Sequence, residues 1–211
     1  MKFVKPCLLG LAVFALSATA QAATVYSEGF DNLATSGWIL TNNSTSAGNS
    51  WYQGVPEYFA SQSGAAGSYA VADFLSSNAV NGTISNWLIS PEITLGTATT
   101  LSFYARTDDV AGFNDTLKVY FNAGSASSTA SFTSLLATIT ASTAGWTQYT
   151  IALPSAATGR IAFEYAVGDA LTANVIGIDS VSVSAVPEPA TYGLMGLGIA
   201  GLIAVRRRKQ D

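Results

Sequence analysis

Two acidic residues stand where a folded chain would bury them. Glu28 lies between Tyr26 and Phe30 at a spacing of two, and Asp179 precedes Val181 and Val183 in the same way. Residues two apart in an extended strand share a face, so each carboxylate falls in line with side chains that a core would claim. An ionised carboxylate out of water is costly unless it is paired or bound to metal. Cations are scarce: between Thr24 and Val186 there are eleven carboxylates and three cations (Arg106, Lys118 and Arg160), a net charge of −8. Arg160 stands on the other face of its own strand by the same counting. The spacing therefore predicts that Glu28 and Asp179 meet on neighbouring first and last strands and help hold a structural Ca²⁺. Asp31, Asn32 or backbone carbonyls would complete the roughly six to eight oxygens that calcium takes. The same residues allow another arrangement, a β-bulge that turns one carboxylate outward or turn-capping hydrogen bonds to backbone N–H groups.

Asp108, Asp109 and Asp115, with Asn114 and Gly112 between them, form a second acidic group that could hold calcium at the surface or end a hairpin in Asx turns. Aromatic residues offer a different chemistry. Trp51, Tyr52, Gln53 and Tyr58 follow an Asn/Ser/Gly-rich stretch, and exposed rings there would stack on sugars while Gln53 bonds hydroxyls. The alternative is that these rings plug the end of the fold. Trp38, Trp87 and Trp146 read as core. Absences narrow the catalytic options. The chain has no histidine and one cysteine, Cys7, which excludes Ser-His-Asp and Cys-His pairs and the usual zinc sites. A glycosidase needs only two carboxylates, yet nothing singles out a pair among eleven. The reading is therefore of a non-enzyme. The acidic surface repels nucleic acid and anionic lipid and suits cations or neutral polysaccharide.

The elements that must carry these residues are strands. Leu101, Phe103 and Ala105 alternate with polar neighbours, as do Leu117, Val119 and Phe121. Tyr149, Ile151 and Leu153 follow, then Ile161, Phe163, Tyr165 and Val167 against the outward Arg160, Ala162 and Glu164. Short Gly, Asn, Ser and Pro clusters separate the runs, and no long stripe of 3.6-residue period appears. The expected fold is an all-β sandwich, a jelly roll, in one domain over 23–185. Ser44 to Ser50 and Ala123 to Ser131 read as loops.

Both ends of the 211-residue chain differ from this domain. Lys2 and Lys5, the apolar run from Leu8 to Leu16 and Ala20-Gln21-Ala22 have the order of a cleaved signal peptide over 1–22. Cys7 would leave with it, and no disulfide could then help the fold. At the other end stand Pro187-Glu188-Pro189, an apolar helix expected over 191–205, and the cationic block Arg206, Arg207, Arg208 and Lys209. Apolar helix followed by cations is a stop-transfer pattern. The run from Tyr192 to Val205 is fourteen residues. At ~1.5 Å per residue it reaches about 21 Å against a hydrocarbon core of ~30 Å, a poor permanent anchor.

This tripartite tail resembles the PEP-CTERM sorting signal of Gram-negative bacteria, with Pro187, Glu188 and Pro189 as the motif. The resemblance implies an exosortase-type membrane transpeptidase as partner after signal peptidase, transient residence in the inner membrane, removal of helix and tail, and delivery to the cell surface or extracellular matrix.

A second resemblance rests on Ser27-Glu28-Gly29-Phe30-Asp31 with Gly37-Trp38, on Asn86-Trp87-Leu88-Ile89-Ser90-Pro91-Glu92-Ile93, and on Gly177-Ile178-Asp179-Ser180-Val181-Ser182-Val183. Together these look like a choice-of-anchor J domain, related to the cleaved-adhesin and MAM-type jelly rolls. That likeness implies extracellular adhesion or carbohydrate-associated binding. The expected protein is thus a secreted adhesive or exopolysaccharide-associated module. A lectin using its loop aromatics and a glycan-active hydrolase are the alternatives.

Overall fold

Alternation from Thr99 to Ala123 is built as two long strands whose odd-numbered residues Leu101, Phe103, Leu117 and Val119 are fully buried. A computed structural model describes residues 22–96, 99–113, 115–185 and 198. The signal peptide expected over 1–22, Ala22 apart, lies outside the described residues, as do the Pro187-Glu188-Pro189 motif, the helix expected over 191–205 apart from Gly198, and the cationic block at 206–209. Among the described residues no helix is long and apolar enough to cross a membrane.

Among the described residues twelve strands follow in order: β1 (Ala23–Glu28), β2 (Ile39–Asn42), β3 (Tyr52–Gln53), β4 (Ala70–Asp73), β5 (Ile84–Ile89), β6 (Ile93–Thr94), β7 (Thr99–Thr107), β8 (Thr116–Ala123), β9 (Ser134–Thr140), β10 (Thr147–Leu153), β11 (Thr158–Val167) and β12 (Val175–Ala185). They form two antiparallel sheets packed as a jelly-roll-like sandwich. One sheet runs β10-β7-β12-β4-β3, with β1 also on β12, and the other runs β2-β5-β11-β8-β9, with β6 also on β11. β12 is the spine of the first sheet. It pairs with β7 along one edge, and along the other with β1 (Ala23 opposite Ala185) and then β4 (Val175 opposite Asp73). The neighbouring first and last strands expected from the sequence are therefore present.

The core lies between the sheets. Phe103 of β7 meets Phe163 of β11 edge-on at 4.8 Å between ring centres, and Trp38 stacks on Phe163 at 6.0 Å. Offset and edge-to-face pairs of this kind are favoured by the ring quadrupoles. Two smaller apolar clusters cover the outer faces. Phe59, Tyr69, Val71 and Val175 pack outside the first sheet with Tyr52 and Trp146. Trp146, expected in the core, thus sits half-buried on this outer face. Gly177 is required there, because a Cβ on it would come 2.7 Å from the Phe59 ring. Arg106 covers the cluster, its guanidinium 4.2 Å from the Phe59 ring centre. Outside the second sheet, Trp87, Ile89, Phe132 and Ala162 form the other cluster. Glu164, expected to point to solvent, is covered by it. Only 7 % exposed, Glu164 accepts hydrogen bonds from Ser85 Oγ at 2.7 Å and Tyr120 hydroxyl at 2.9 Å and lies 3.7 Å from Lys118 Nζ.

Candidate functional site

The corner where β1 meets β12 is shaped by two residues in the left-handed region, Phe30 (φ 52°) and Ser180 (φ 50°). Each has its N–H bonded by an acidic side chain one or two positions before it. Glu28 Oε1 accepts from Phe30 N at 2.7 Å, and Asp179 Oδ1 accepts from Ser180 N. A register shift between Asp179 and Ser182 marks the bulge this creates in β12. The bulge leaves Asp179 fully buried while Glu28 is half-exposed. Asp179 Oδ2 accepts from the backbone N–H groups of Gln62 at 2.8 Å and Ser63 at 3.1 Å. Asp31 grips the same connection from its far end, accepting from Ser68 Oγ at 2.7 Å. The two carboxylates thus pin the β3–β4 connection over residues 62–68.

Burial pushes the Asp179 carboxyl above its usual 3.8, and the N–H bonds from Ser63, Ser180 and Gln62 offset part of the rise. A raised value means that the native state holds the proton more tightly than the unfolded chain. The stability contributed by this group is then complete below 3.8 and falls as pH rises through the raised value. The expected result is a melting-temperature difference, wild type minus Asp179→Ala, that shrinks from about pH 3 to pH 7, opposite in sign to an ordinary paired carboxylate.

These contacts decide how Glu28, Asp31 and Asp179 suit calcium. Both oxygens of Asp179 face N–H donors, whose positive ends oppose a cation. Among the described residues no three acidic side chains converge as a ligand set. The donor geometry fits Asp179 as an anchor of backbone N–H groups, while Glu28 and Asp31 each engage a single oxygen, with Phe30 N and Ser68 Oγ. Melting curves in Ca²⁺ and in EDTA are expected to superimpose; a higher melting temperature in Ca²⁺ would show that a cation displaces these donors.

The second acidic group is divided by the fold. Asp108 and Asp109 are exposed on the β7–β8 connection, where Asp108 Oδ1 accepts from Asp109 N at 3.0 Å. Asn114 lies outside the described residues. Asp115 points inward, 2 % exposed, and accepts from Thr107 Oγ1 at 2.6 Å, Asn174 N at 2.9 Å and the Tyr165 hydroxyl. Desolvation and the neighbouring Asp115 carboxylate raise the Tyr165 hydroxyl well above its usual range.

A groove of about 610 Å³ opens between β2 and β3, the edge strands of the two sheets at one side of the sandwich. Its lining includes Asp31, Asn32, Leu40, Trp51, Tyr52 and Gln53. Three of the four residues expected to bind sugar are thus together, but not as expected. Trp51 is 2 % exposed in the main core, with Nε1 donating to Asn86 O at 2.9 Å. Tyr52 is half-buried and its hydroxyl donates to Asp73 Oδ2 at 2.7 Å. Burial and this bond raise the Tyr52 hydroxyl far above its usual range. Gln53 holds the groove wall, donating from Nε2 to Phe30 O and Gly67 O and accepting from Leu33 N. Tyr58 is 42 % exposed and is not part of the groove lining.

The groove's available polar groups are those of Asn32 and Asp31. Asn32 is exposed and its side chain makes no capping bond at the 3₁₀ turn Leu33–Thr35. Asp31 is exposed beside it, and Asp31 is the one carboxylate in the lining. The Asp31-Asn32 pair was visible in the sequence, but its position at a sheet edge was not.

Comparison with known proteins bears on both parts of the chain. No curated protein matches it in sequence. In fold it is similar to the K3 cleaved adhesin domain of Lys-gingipain from Porphyromonas gingivalis, with a TM-score of 0.60 and 23 % identity over 78 % of this chain and 99 % of that one. It is similar also to the K1 domain of the same protein, with a TM-score of 0.60 and 22 % identity over 76 % of this chain and 98 % of that one. Residues 185–209 match the PEP-CTERM protein-sorting motif, which implies export and processing by an exosortase. The chain thus joins a β-sandwich similar in fold to cleaved adhesin domains to a PEP-CTERM protein-sorting motif, which implies export.

Proposed function

We propose that the domain is a non-enzymatic, adhesive matrix component that holds neutral exopolysaccharide in the groove between β2 and β3. The observation that carries this reading is the groove's make-up: an open channel along a sheet edge with an unengaged Asn32 amide, an exposed Asp31 and the apolar Leu40. Carboxylate and amide groups bond sugar hydroxyls, and Leu40 with the Tyr52 ring edge covers their apolar faces. A single lining carboxylate supports binding over hydrolysis, since glycoside cleavage uses two. The net charge of −8 over the domain disfavours anionic polymers and leaves neutral ones as the fitting class.

The test is retention of the protein in gels containing exopolysaccharide purified from the producing cells. Asn32→Ala with Leu40→Ala is expected to reduce retention at least about tenfold, equivalent to roughly 1.4 kcal/mol, with the melting temperature unchanged. Equal retention of variant and wild type would overturn the assignment of the groove.

A further inference from the structure

The end of the sandwich where β12 begins is made by three connections: residues 74–83 after β4, 108–115 after β7 and 168–174 after β11. These short stretches carry six of the eleven exposed large apolar side chains among the described residues. They are Phe74 (48 %), Leu75 (45 %), Val80 (72 %), Val110 (40 %), Phe113 (42 %) and Leu171 (58 %). Two shallow depressions, about 270 and 230 Å³, share Phe74, Ala170 and Leu171, so the patch is continuous across the connections.

Hydrogen bonds hold these side chains outward. Phe74 and Leu75 sit on the 3₁₀ turn Phe74–Ser76, capped by Asp73 Oδ1 accepting from Leu75 N at 2.9 Å. Leu171 sits on the turn Ala170–Thr172, capped in the same way by Asp169 Oδ1 at 3.0 Å. The connections are also tied to their surroundings, Phe74 N to Asn174 O at 2.8 Å and Ala170 N to Gly82 O at 2.8 Å. A concentration of large apolar groups fixed in water on ordered turns marks an interaction surface.

Charge selects the occupant. The exposed Asp108, Asp109 and Asp169 surround the apolar groups, and none of the three connections contains Lys or Arg. A second copy would set the same three carboxylates face to face, and an anionic bilayer would be repelled. We propose that this end docks a polypeptide presenting apolar side chains flanked by Lys or Arg. It goes beyond the polysaccharide reading and uses none of the groove's residues. β12 runs for eleven residues from this end to Ala185, about 36 Å at ~3.3 Å per residue. Ala185, the last residue of β12, therefore lies far from the docking surface.

A short amphipathic peptide of leucine and lysine is the probe, titrated against the protein, with a leucine–glutamate peptide and phosphatidylglycerol vesicles as controls. Saturable binding of the leucine–lysine peptide alone is expected, weakened at least about tenfold by Phe74→Ser with Leu171→Ser at unchanged melting temperature and unchanged polysaccharide retention. Should that pair fail to fold, Val80→Ser with Leu171→Ser takes its place. Equal peptide binding by wild type and variant would reduce the attraction to net charge and overturn the proposal. Binding of the glutamate peptide or the vesicles would overturn it as well, and so would a dimer at working concentration that the variant abolishes.

Discussion

Replacing Trp51 with alanine is expected to lower the unfolding free energy by about 3–5 kcal/mol, the range for emptying a large buried aromatic site. Trp51 is 2 % exposed, belongs to the main core and donates from Nε1 to Asn86 O at 2.9 Å. The substitution leaves a cavity and strands a carbonyl of β5. For a domain of this length each kcal/mol corresponds to roughly 2–4 °C, so thermal melting should show a fall on the order of 6–20 °C. A fall below about 3 °C would place the ring outside the core. This outcome also governs how sugar binding can be tested. Trp51→Ala would lose binding because the groove floor collapses, and that loss would carry no information about stacking. Asn32 and Leu40 are the informative positions, since both are exposed.

Asp115→Ala is expected to be the most damaging change of an acidic residue. Its carboxylate joins the hydroxyls of Thr107 and Tyr165 and the N–H of Asn174, linking β7, β11 and the start of β12. Thr107 Oγ1 also lies 2.7 Å from Val175 O and can turn there. The Tyr165 hydroxyl has no such substitute, whereas Asn174 N has the Tyr165 oxygen beside it. A stranded buried donor costs ~1–3 kcal/mol, and the loss of the other Asp115 bonds adds to it, so chemical denaturation should show a loss of at least that size. Tyr165→Phe removes the stranded donor. In the Asp115→Ala background it should cost much less than in the wild type, and the double-mutant cycle measures that coupling. Additive effects of the two substitutions would mean that the Tyr165–Asp115 bond contributes nothing.

What the sequence discloses depends on how far apart the partners lie. β7 and β8 were readable because each buries alternate residues, which the pattern of apolar side chains records directly, and β11 because Ile161, Phe163, Tyr165 and Val167 alternate in type although its residues 161–165 are buried on both faces. β4 was not readable. Its residues Ala70, Val71, Ala72 and Asp73 are all buried, the alanines toward the core and Val71 in the cluster with Phe59 and Tyr69, so no alternation exists. The burial of Asp179 followed from its spacing to Val181. Its partners did not, because Gln62 and Ser63 lie more than a hundred positions away and contribute only backbone N–H groups. Asp115 was grouped with Asp108 and Asp109 by proximity along the chain. Its spacing of two to Leu117 and Val119 carried the better signal, since all three share the buried face of the strand leading into β8. The groove escaped because neighbouring edges of separate sheets leave no local trace.

The place of β12 in its sheet has a consequence for the timing of secretion. A chain threading outward amino end first delivers Ala23–Glu28 early, yet that strand's partner residues Val181–Ala185 come almost last. β4 and β7 wait for the same arrival. Long-range pairing of this kind delays closure of the fold. Completion of this sheet therefore waits for Val175–Ala185, the strand that runs directly into the sorting motif matched at 185–209.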